Sequence, residues 1–208
     1  MIGSGDTRSG MEVLGSLRSV MRRAKAGPSF RRFFINTLFD STFMLLGIVV
    51  GSALTPESNV KVVLSTMLVS SLALGISTGV SVYEAESLEW KLKLEETEKA
   101  MLTKLENTGF AQLGKKAVIL ISILNFLTPL LSCGVTVVPF LMALGGLIKI
   151  DHAGYVSALL ALSTLFLSGA YLGKKSKMNP WMKGLRMVIL GIMAFTLGIL
   201  IKRAVNLI

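Results

Sequence analysis

Asp40 is the acidic residue with the clearest chemical potential in this sequence, because it lies inside a long apolar run. Arg31 and Arg32 precede that run, so eight helical residues at about 1.5 Å each would place the carboxyl group roughly 12 Å inside it. A carboxylate in apolar surroundings is costly unless it faces a polar pathway or a partner. One interpretation is therefore a functional acid. The other is a neutral carboxyl group bonded to Asn36 or Thr37 of its own helix.

Asn36 and Met44 lie one helical turn either side of Asp40, so the three side chains share a face. A carboxylate, an amide oxygen and a thioether in line could bind a divalent transition metal, since a thioether suits the softer cations. The pattern predicts a transport path formed by Asp40, Met44 and Asn36, with Asp40 as a metal ligand. For Met44 the alternative is ordinary packing.

A second acidic cluster follows the second apolar run and holds seven of the twelve acidic residues: Glu84, Glu86, Glu89, Glu95, Glu96, Glu98 and Glu106. At about 100° per helical residue, Glu86, Glu89 and Glu96 fall on one face. Carboxylates stacked one and two turns apart repel each other unless a cation lies between them. We therefore predict that Glu86, Glu89 and Glu96 are metal ligands.

The alternative for this cluster is a solvated helix whose acids pair with the interleaved lysines, which are Lys91, Lys93, Lys99 and Lys104. For Glu95 and Glu98 the solvated helix is the favoured interpretation. Glu86 and Glu89 are different because no lysine lies one turn before them, at the edge of the apolar run.

The composition excludes several classes of protein. Of the 208 residues, 52% are hydrophobic and only 16% are charged, with a mean hydropathy of +0.67. Soluble domains carry about a quarter charged residues, so a soluble enzyme, a nucleic-acid-binding protein and a disordered chain are all disfavoured. The single cysteine, Cys133, excludes a disulfide framework. No catalytic set is visible, so we expect neither an enzyme nor a cofactor beyond a metal substrate.

A membrane-spanning helix needs about 20 mainly apolar residues. Five stretches of the sequence qualify, at about 33–54, 62–83, 117–147, 153–172 and 187–208. The third is long enough to raise the alternative of two crossings with a turn near Pro129, but a single helix bent by proline is favoured. The chain is predicted to be an all-α integral membrane protein with five transmembrane helices.

The distribution of basic residues predicts the orientation of these spans. Residues 1–32, 84–116 and 173–186 hold 7, 6 and 5 lysines or arginines, which is 18 of the 22. Because cytoplasmic flanks are rich in lysine and arginine, these three segments are assigned to the cytoplasm. We therefore predict a multi-pass protein of the cell membrane with a cytoplasmic N-terminus and an external C-terminus.

Two regions follow from this topology. Residues 1–32 are predicted to form a basic cytoplasmic segment with an amphipathic helix over 12–27, suited to an anionic lipid surface; the alternative is a solvated basic tail that only sets the topology. Residues 33–208 form the membrane domain, in which the second helix extends into the cytoplasm as an acidic helix over 84–112. Pairs of glycines four residues apart favour a tight bundle or a dimer; they are Gly47 and Gly51, Gly75 and Gly79, and Gly169 and Gly173.

Three motifs give the sequence a family resemblance. The run FDSTFMLLGIVVG over 39–51 resembles the first-helix signature of the vacuolar iron transporter family. The run LALGIS over 72–77, followed by Tyr83 and the acids Glu86 and Glu89, resembles the end of the family's second helix. The run MNPWMKGLRMVILG over 178–191 resembles the start of its last helix. The likeness covers most of 33–208 and is closest to short prokaryotic members.

The resemblance implies a homodimer that moves ferrous or similar divalent ions, Fe²⁺ or Mn²⁺, out of the cytosol in exchange for protons. Its path would lie between the two first helices. The chain departs from the family in two ways. Its cytoplasmic insert is short, and it lacks the methionine that members carry in the second helix, where Leu74 and Ile76 lie nearby. The main alternative is a membrane scaffold whose acidic helix binds a basic partner; an intramembrane enzyme is least favoured.

Overall fold

The computed structural model describes residues 27–53, 59–105, 108–176 and 178–205, and within these ranges all regular structure is helical. The helices are α1 (Gly27–Ile48, continued by a π-helical turn, Val49–Ala53), α2 (Val60–Met101), α3 (Gly109–Leu144), α4 (Ile150–Lys175) and α5 (Pro180–Val205). All five are long and apolar enough to cross a membrane. The predictions of an all-α fold and five long apolar helices are confirmed for the described residues. Apart from Gly27, the predicted amphipathic helix over 12–27 lies outside them.

Helix α2 continues well past its apolar part, as predicted, but ends at Met101 rather than near residue 112. Leu102 adopts the left-handed conformation, with φ of 52°. The Thr103 N–H then bonds the Glu98 carbonyl at 3.3 Å, which closes the helix as a Schellman motif. The Glu98 carboxylate also accepts the Leu105 N–H at 2.6 Å. This local hydrogen bonding ends the helix where the sequence offers neither glycine nor proline.

Helix α3 is continuous through Pro129 and Pro139, which confirms the prediction of one long third helix. Proline is tolerated in apolar helices because packed neighbours satisfy the freed backbone groups. The helix ends in a second Schellman motif, in which Gly146 has a φ of 75° and the Leu147 N–H bonds the Met142 carbonyl at 3.1 Å. Here glycine supplies the left-handed residue that such an ending requires.

The chain divides into two units, and the first three helices contribute to both. The described residues of one unit are 27–34, 77–105 and 108–126, and we call it the Glu86 unit. Those of the other are 35–53, 59–76, 127–176 and 178–205, and we call it the Asp40 unit. The Asp40 unit has a core of apolar side chains from α1 to α4, with parts of α5 against it. Among the largest fully buried side chains are Leu45, Leu46, Met67, Phe140 and Leu165.

Hydroxyl groups connect the helices of the Asp40 unit. The Thr42 and Ser132 hydroxyls lie 3.2 Å apart, between α1 and α3. The Ser157 hydroxyl donates to the Thr136 carbonyl at 2.7 Å, between α4 and α3. In lipid, helix association depends on close packing and interhelical hydrogen bonds rather than on the hydrophobic effect. These contacts therefore fix α1 and α4 against α3.

Candidate functional site

Asp40 lies on an exposed face of α1, in the Asp40 unit. The Asn36 Nδ2 donates a hydrogen bond to the Asp40 Oδ2 at 3.2 Å, and Asn36 is exposed as well. This confirms that the two side chains share a face one turn apart. No second hydrogen bond reaches this carboxylate from the described residues, so its other oxygen is left to bind a cation.

The hydroxyl side chains that follow Asp40 on α1 turn away from its face and are buried and bonded. Ser41 and Thr42 both donate to the Leu38 carbonyl, at 3.0 Å and 2.7 Å. Both are fully buried, whereas Asp40 is exposed. The helix therefore uses its hydroxyls for packing and presents its only acid away from the core.

Met44 is partly buried and packs against the apolar core. This is the packing role that the sequence left open as the alternative. A bond from its thioether to a metal ion stays a prediction.

The exposed face continues beyond Asp40 through Gly47 and Gly51. At about 100° per residue, Asn36, Asp40, Gly47 and Gly51 fall within about 60° of one another. A Cβ built on either glycine would meet no other atom within 4 Å. We call these four residues the open face of α1. It combines a carboxylate, an amide and two residues that permit close approach of another helix.

Glu86 lies in the other unit and is only 8% exposed. Its Oε1 is buried and has no hydrogen-bond partner among the described residues. Burial raises the pKa of the Glu86 carboxyl group and the nearby charge of Glu89 adds to this, while a hydrogen bond from Ser29 and the charge of Arg32 lower that pKa. The outcome is a pKa above the ordinary value. A buried oxygen without a donor favours a bound proton or cation.

The three predicted ligands of the acidic cluster are not alike. Glu86 is buried, whereas Glu89 and Glu96 are exposed. Among the described residues, no three or more His, Cys, Asp or Glu side chains form a group that could hold a metal ion. Within one chain the described carboxylates therefore form no complete metal cage, and their binding of metal stays a prediction.

Sequence reasoning missed the role of Ser29 and Arg32 near Glu86. Both residues lie at the start of α1, and Glu86 lies on α2, more than 50 residues later. The only available signal was the position of each at the polar edge of an apolar run. Edges of neighbouring spans must lie at similar depth, but periodicity within one helix does not show which spans are neighbours.

No protein-family model matches this chain. Over 197 residues it is 26% identical to an uncharacterized protein of Methanocaldococcus jannaschii, in a match that covers 93% of this chain and 99% of that protein. The likeness therefore runs along nearly the full length of both proteins rather than through one apolar segment. It assigns no function to either of them.

Proposed function

We propose that this chain is a multi-pass membrane protein that exports a divalent transition metal, Fe²⁺ or Mn²⁺, from the cytosol in exchange for protons. The observation that carries the proposal is Asp40, an exposed carboxylate within a helix that is long and apolar enough to cross a membrane. A charge exposed to lipid at this depth is strongly unfavourable. A polar pathway or a second copy of the chain must therefore cover it.

The second copy follows from the open face. Two such faces packed together would bring two Asp40 carboxylates together, and two negative charges match one divalent cation. Gly47 and Gly51 would allow the two α1 backbones to approach closely. The homodimer and the path between the first helices are also what the resemblance to the vacuolar iron transporter family implies.

Exchange requires only competition at this pair of acids. A divalent cation binds the ionised carboxylate, so metal entry expels any proton held there, and metal release allows a proton to return. The Asn36 amide orients the Asp40 carboxylate by its 3.2 Å hydrogen bond. In this mechanism one site couples the two fluxes, and no separate proton channel is needed.

Glu86 and Glu89 have a supporting role in the proposal. They lie just beyond the apolar part of α2, at the end that the lysine and arginine bias assigns to the cytoplasm. Negative side chains at such a mouth raise the local concentration of cations and speed their capture. They act on metal affinity, while Asp40 acts on translocation.

The decisive experiment is flux in proteoliposomes that contain the purified full-length chain and a pH-sensitive dye. Addition of Mn²⁺ or Fe²⁺ on one side should change the internal pH and the internal metal content together. Ca²⁺ serves as the comparison ion, because a path with a thioether nearby should favour the softer transition metals. Metal uptake without a proton flux, or no uptake at all, contradicts the proposal.

The orientation is tested by labelling single cysteines in a Cys133→Ser background. Cysteines at Ser58 and Ile150 should react with an impermeant maleimide from outside the cell. A cysteine at Met178 should react only after the membrane is opened. Any other pattern removes the five-span topology with a cytoplasmic N-terminus.

One observation favours the scaffold as the second candidate function. Leu88 and Leu92 lie one turn apart on the polar extension of α2 and are 61% and 53% exposed. An exposed apolar pair next to acidic side chains suits a basic, amphipathic protein partner. The scaffold would retain such a partner in proteoliposomes that show no metal flux.

A further inference from the structure

A cavity of about 310 Å³ lies within the Glu86 unit, between α2 and α3. Helix α2 lines it with Tyr83, Ser87, Trp90 and Lys91, which recur at helical spacing along one face. Helix α3 lines it with Lys115, Val118 and Ile119. The cavity therefore joins two cations, two hydroxyl groups, two aromatic rings and an apolar wall. Its volume is at the lower end of the range for small-molecule sites.

The cavity lies where both helices pass from polar to apolar sequence. On α2 the apolar run ends near Tyr83, and on α3 it begins directly after Lys115 and Lys116. Tyrosine and tryptophan are enriched at this level of membrane helices, where the ring is apolar and one end is wet. With the helices in a bilayer, the cavity is at the height of the lipid headgroups.

Trp90 is held rigidly at the cavity wall. Its ring centroid lies 5.0 Å from that of Phe110. A Cβ at Gly114 would come within 1.8 Å of Trp90 Cε2, so only glycine admits the indole ring there. The buried indole N–H has no hydrogen-bond acceptor among the described residues. The cavity thus has donors, in Lys91, Lys115 and Ser87, but no carboxylate in its lining.

We propose that this cavity binds the phosphate headgroup of an anionic membrane phospholipid. The phosphate oxygens pair with the ammonium groups of Lys91 and Lys115 and accept a hydrogen bond from the Ser87 hydroxyl. The first carbons of the acyl chains lie against Val118 and Ile119. Basic pockets between membrane helices at the cytoplasmic surface suit anionic headgroups in this way. The inference depends on membrane insertion but not on metal transport.

The test measures lipid binding to the purified full-length chain in detergent by native mass spectrometry. Dioleoyl phosphatidylglycerol and dioleoyl phosphatidylcholine have the same acyl chains, so their difference isolates the headgroup. We expect phosphatidylglycerol to bind about tenfold more tightly. The double variant Lys91→Gln, Lys115→Gln should lose most of that preference, and Lys91→Arg, Lys115→Arg should keep it.

A matched control removes two other exposed lysines, in the variant Lys174→Gln, Lys175→Gln. It should keep the preference, because those residues do not line the cavity. The proposal is wrong if Lys91→Gln, Lys115→Gln prefers phosphatidylglycerol as strongly as the unaltered protein does, or if the control loses the preference equally. It is also wrong if millimolar glycerol phosphate displaces the lipid, since the ligand is then a soluble phosphate. Asp40→Asn should bind phosphatidylglycerol normally, which separates this site from the transport proposal.

Discussion

Two glycine pairs in the Asp40 unit have the same spacing but opposite surroundings. On α4, a Cβ at Gly169 would lie 2.8 Å from Met187 Cγ, and one at Gly173 would lie 2.8 Å from Pro180 Cα. On α1, a Cβ at Gly47 or Gly51 would meet nothing within 4 Å. The α4 pair is thus closed by α5 of the same chain, while the α1 pair belongs to the open face.

This difference shows that a small-residue pair permits close approach but does not choose the partner. The partner of the α4 pair is α5, which follows in the same chain after a connection of four residues, 176–179, and is therefore held close to α4. On α1 the glycines continue a face that carries Asn36 and Asp40, and a polar face is a poor neighbour for lipid. The first pair therefore serves the folding of one chain, and we propose that the second pair serves assembly of two copies.

The largest expected effect is on the open face, from Asp40→Asn. Asparagine has a similar size but cannot ionise, so the exchange of a cation for a proton is lost. Metal-dependent pH change in proteoliposomes should be abolished, while the fold and the dimer remain. Asn36→Ala should reduce the flux less, by about tenfold, because it removes only a hydrogen bond that orients the ligand.

Asp151→Asn is the matched control, since Asp151 is also exposed but lies in the first turn of α4. Its flux should equal that of the unaltered protein. Normal transport by Asp40→Asn would make Asp40 a structural residue, and the open face of α1 would then have no part in transport.

In the contact between α4 and α5, Gly169→Val should lower the stability of the fold. The new side chain would overlap Met187 and the Lys183 carbonyl, whose oxygen is 3.0 Å from the ideal Cβ. Overpacking of this kind costs about 1–3 kcal/mol. Thermal unfolding in detergent, followed by circular dichroism, should show a lower midpoint. Gly134→Val is the control, because a Cβ at Gly134 on α3 meets nothing within 4 Å; an equal loss there would contradict the steric explanation.

On the open face of α1, Gly47→Val should weaken the association of two copies rather than the stability of one chain. Unfolding of the monomer should be unchanged, since the Cβ has space. Dimer formation in liposomes, measured by energy transfer between labelled copies, should weaken by about tenfold, or about 1.4 kcal/mol. Gly134→Val again serves as the control. Unaltered association of Gly47→Val would show that α1 does not form the interface.

The smallest effect is expected from the variant Glu86→Gln, Glu89→Gln, which sharpens the assignment of translocation to the open face. The apparent metal affinity should fall several-fold, and by no more than about tenfold, with the maximal rate largely kept. Burial raises the pKa of Glu86 above that of an ordinary glutamate. The contribution of Glu86 to metal capture should therefore grow as the pH rises through this raised pKa, and should vanish when acid protonates the carboxylate. A loss of maximal rate equal to that of Asp40→Asn would contradict the separation of roles.

The same direction of shift has a consequence for stability. A folded-state pKa above the unfolded one means that ionisation of Glu86 opposes folding. Glu86→Gln should therefore stabilise the protein as the pH rises above the ordinary range of a glutamate, and should have no such effect below it. Unfolding midpoints measured across this range, against Glu84→Gln at an exposed site, check the sign.

Much of the fold could be predicted from local sequence. Five apolar runs gave five helices, including the third one through Pro129 and Pro139. The prediction placed the end of α2 near residue 112, although the helix ends at Met101. It ends through the left-handed Leu102 and hydrogen bonds to Glu98, and no glycine or proline marks this end in the sequence. The hydrogen bond between Asn36 and Asp40 could also be predicted from the sequence, because the two residues lie one turn apart on one helix.

The sequence by itself determined the helices, their apolar lengths and the side chains that share each helical face. These properties depend on residues within a few turns of one another, so periodicity is enough to specify them. Only the tertiary structure decided that Glu86 is buried near Ser29 and Arg32, that Lys91 and Lys115 line one cavity, and which glycine pair is covered. Each of these depends on which helices are neighbours, and helix packing selects them through close contacts between residues far apart in the chain.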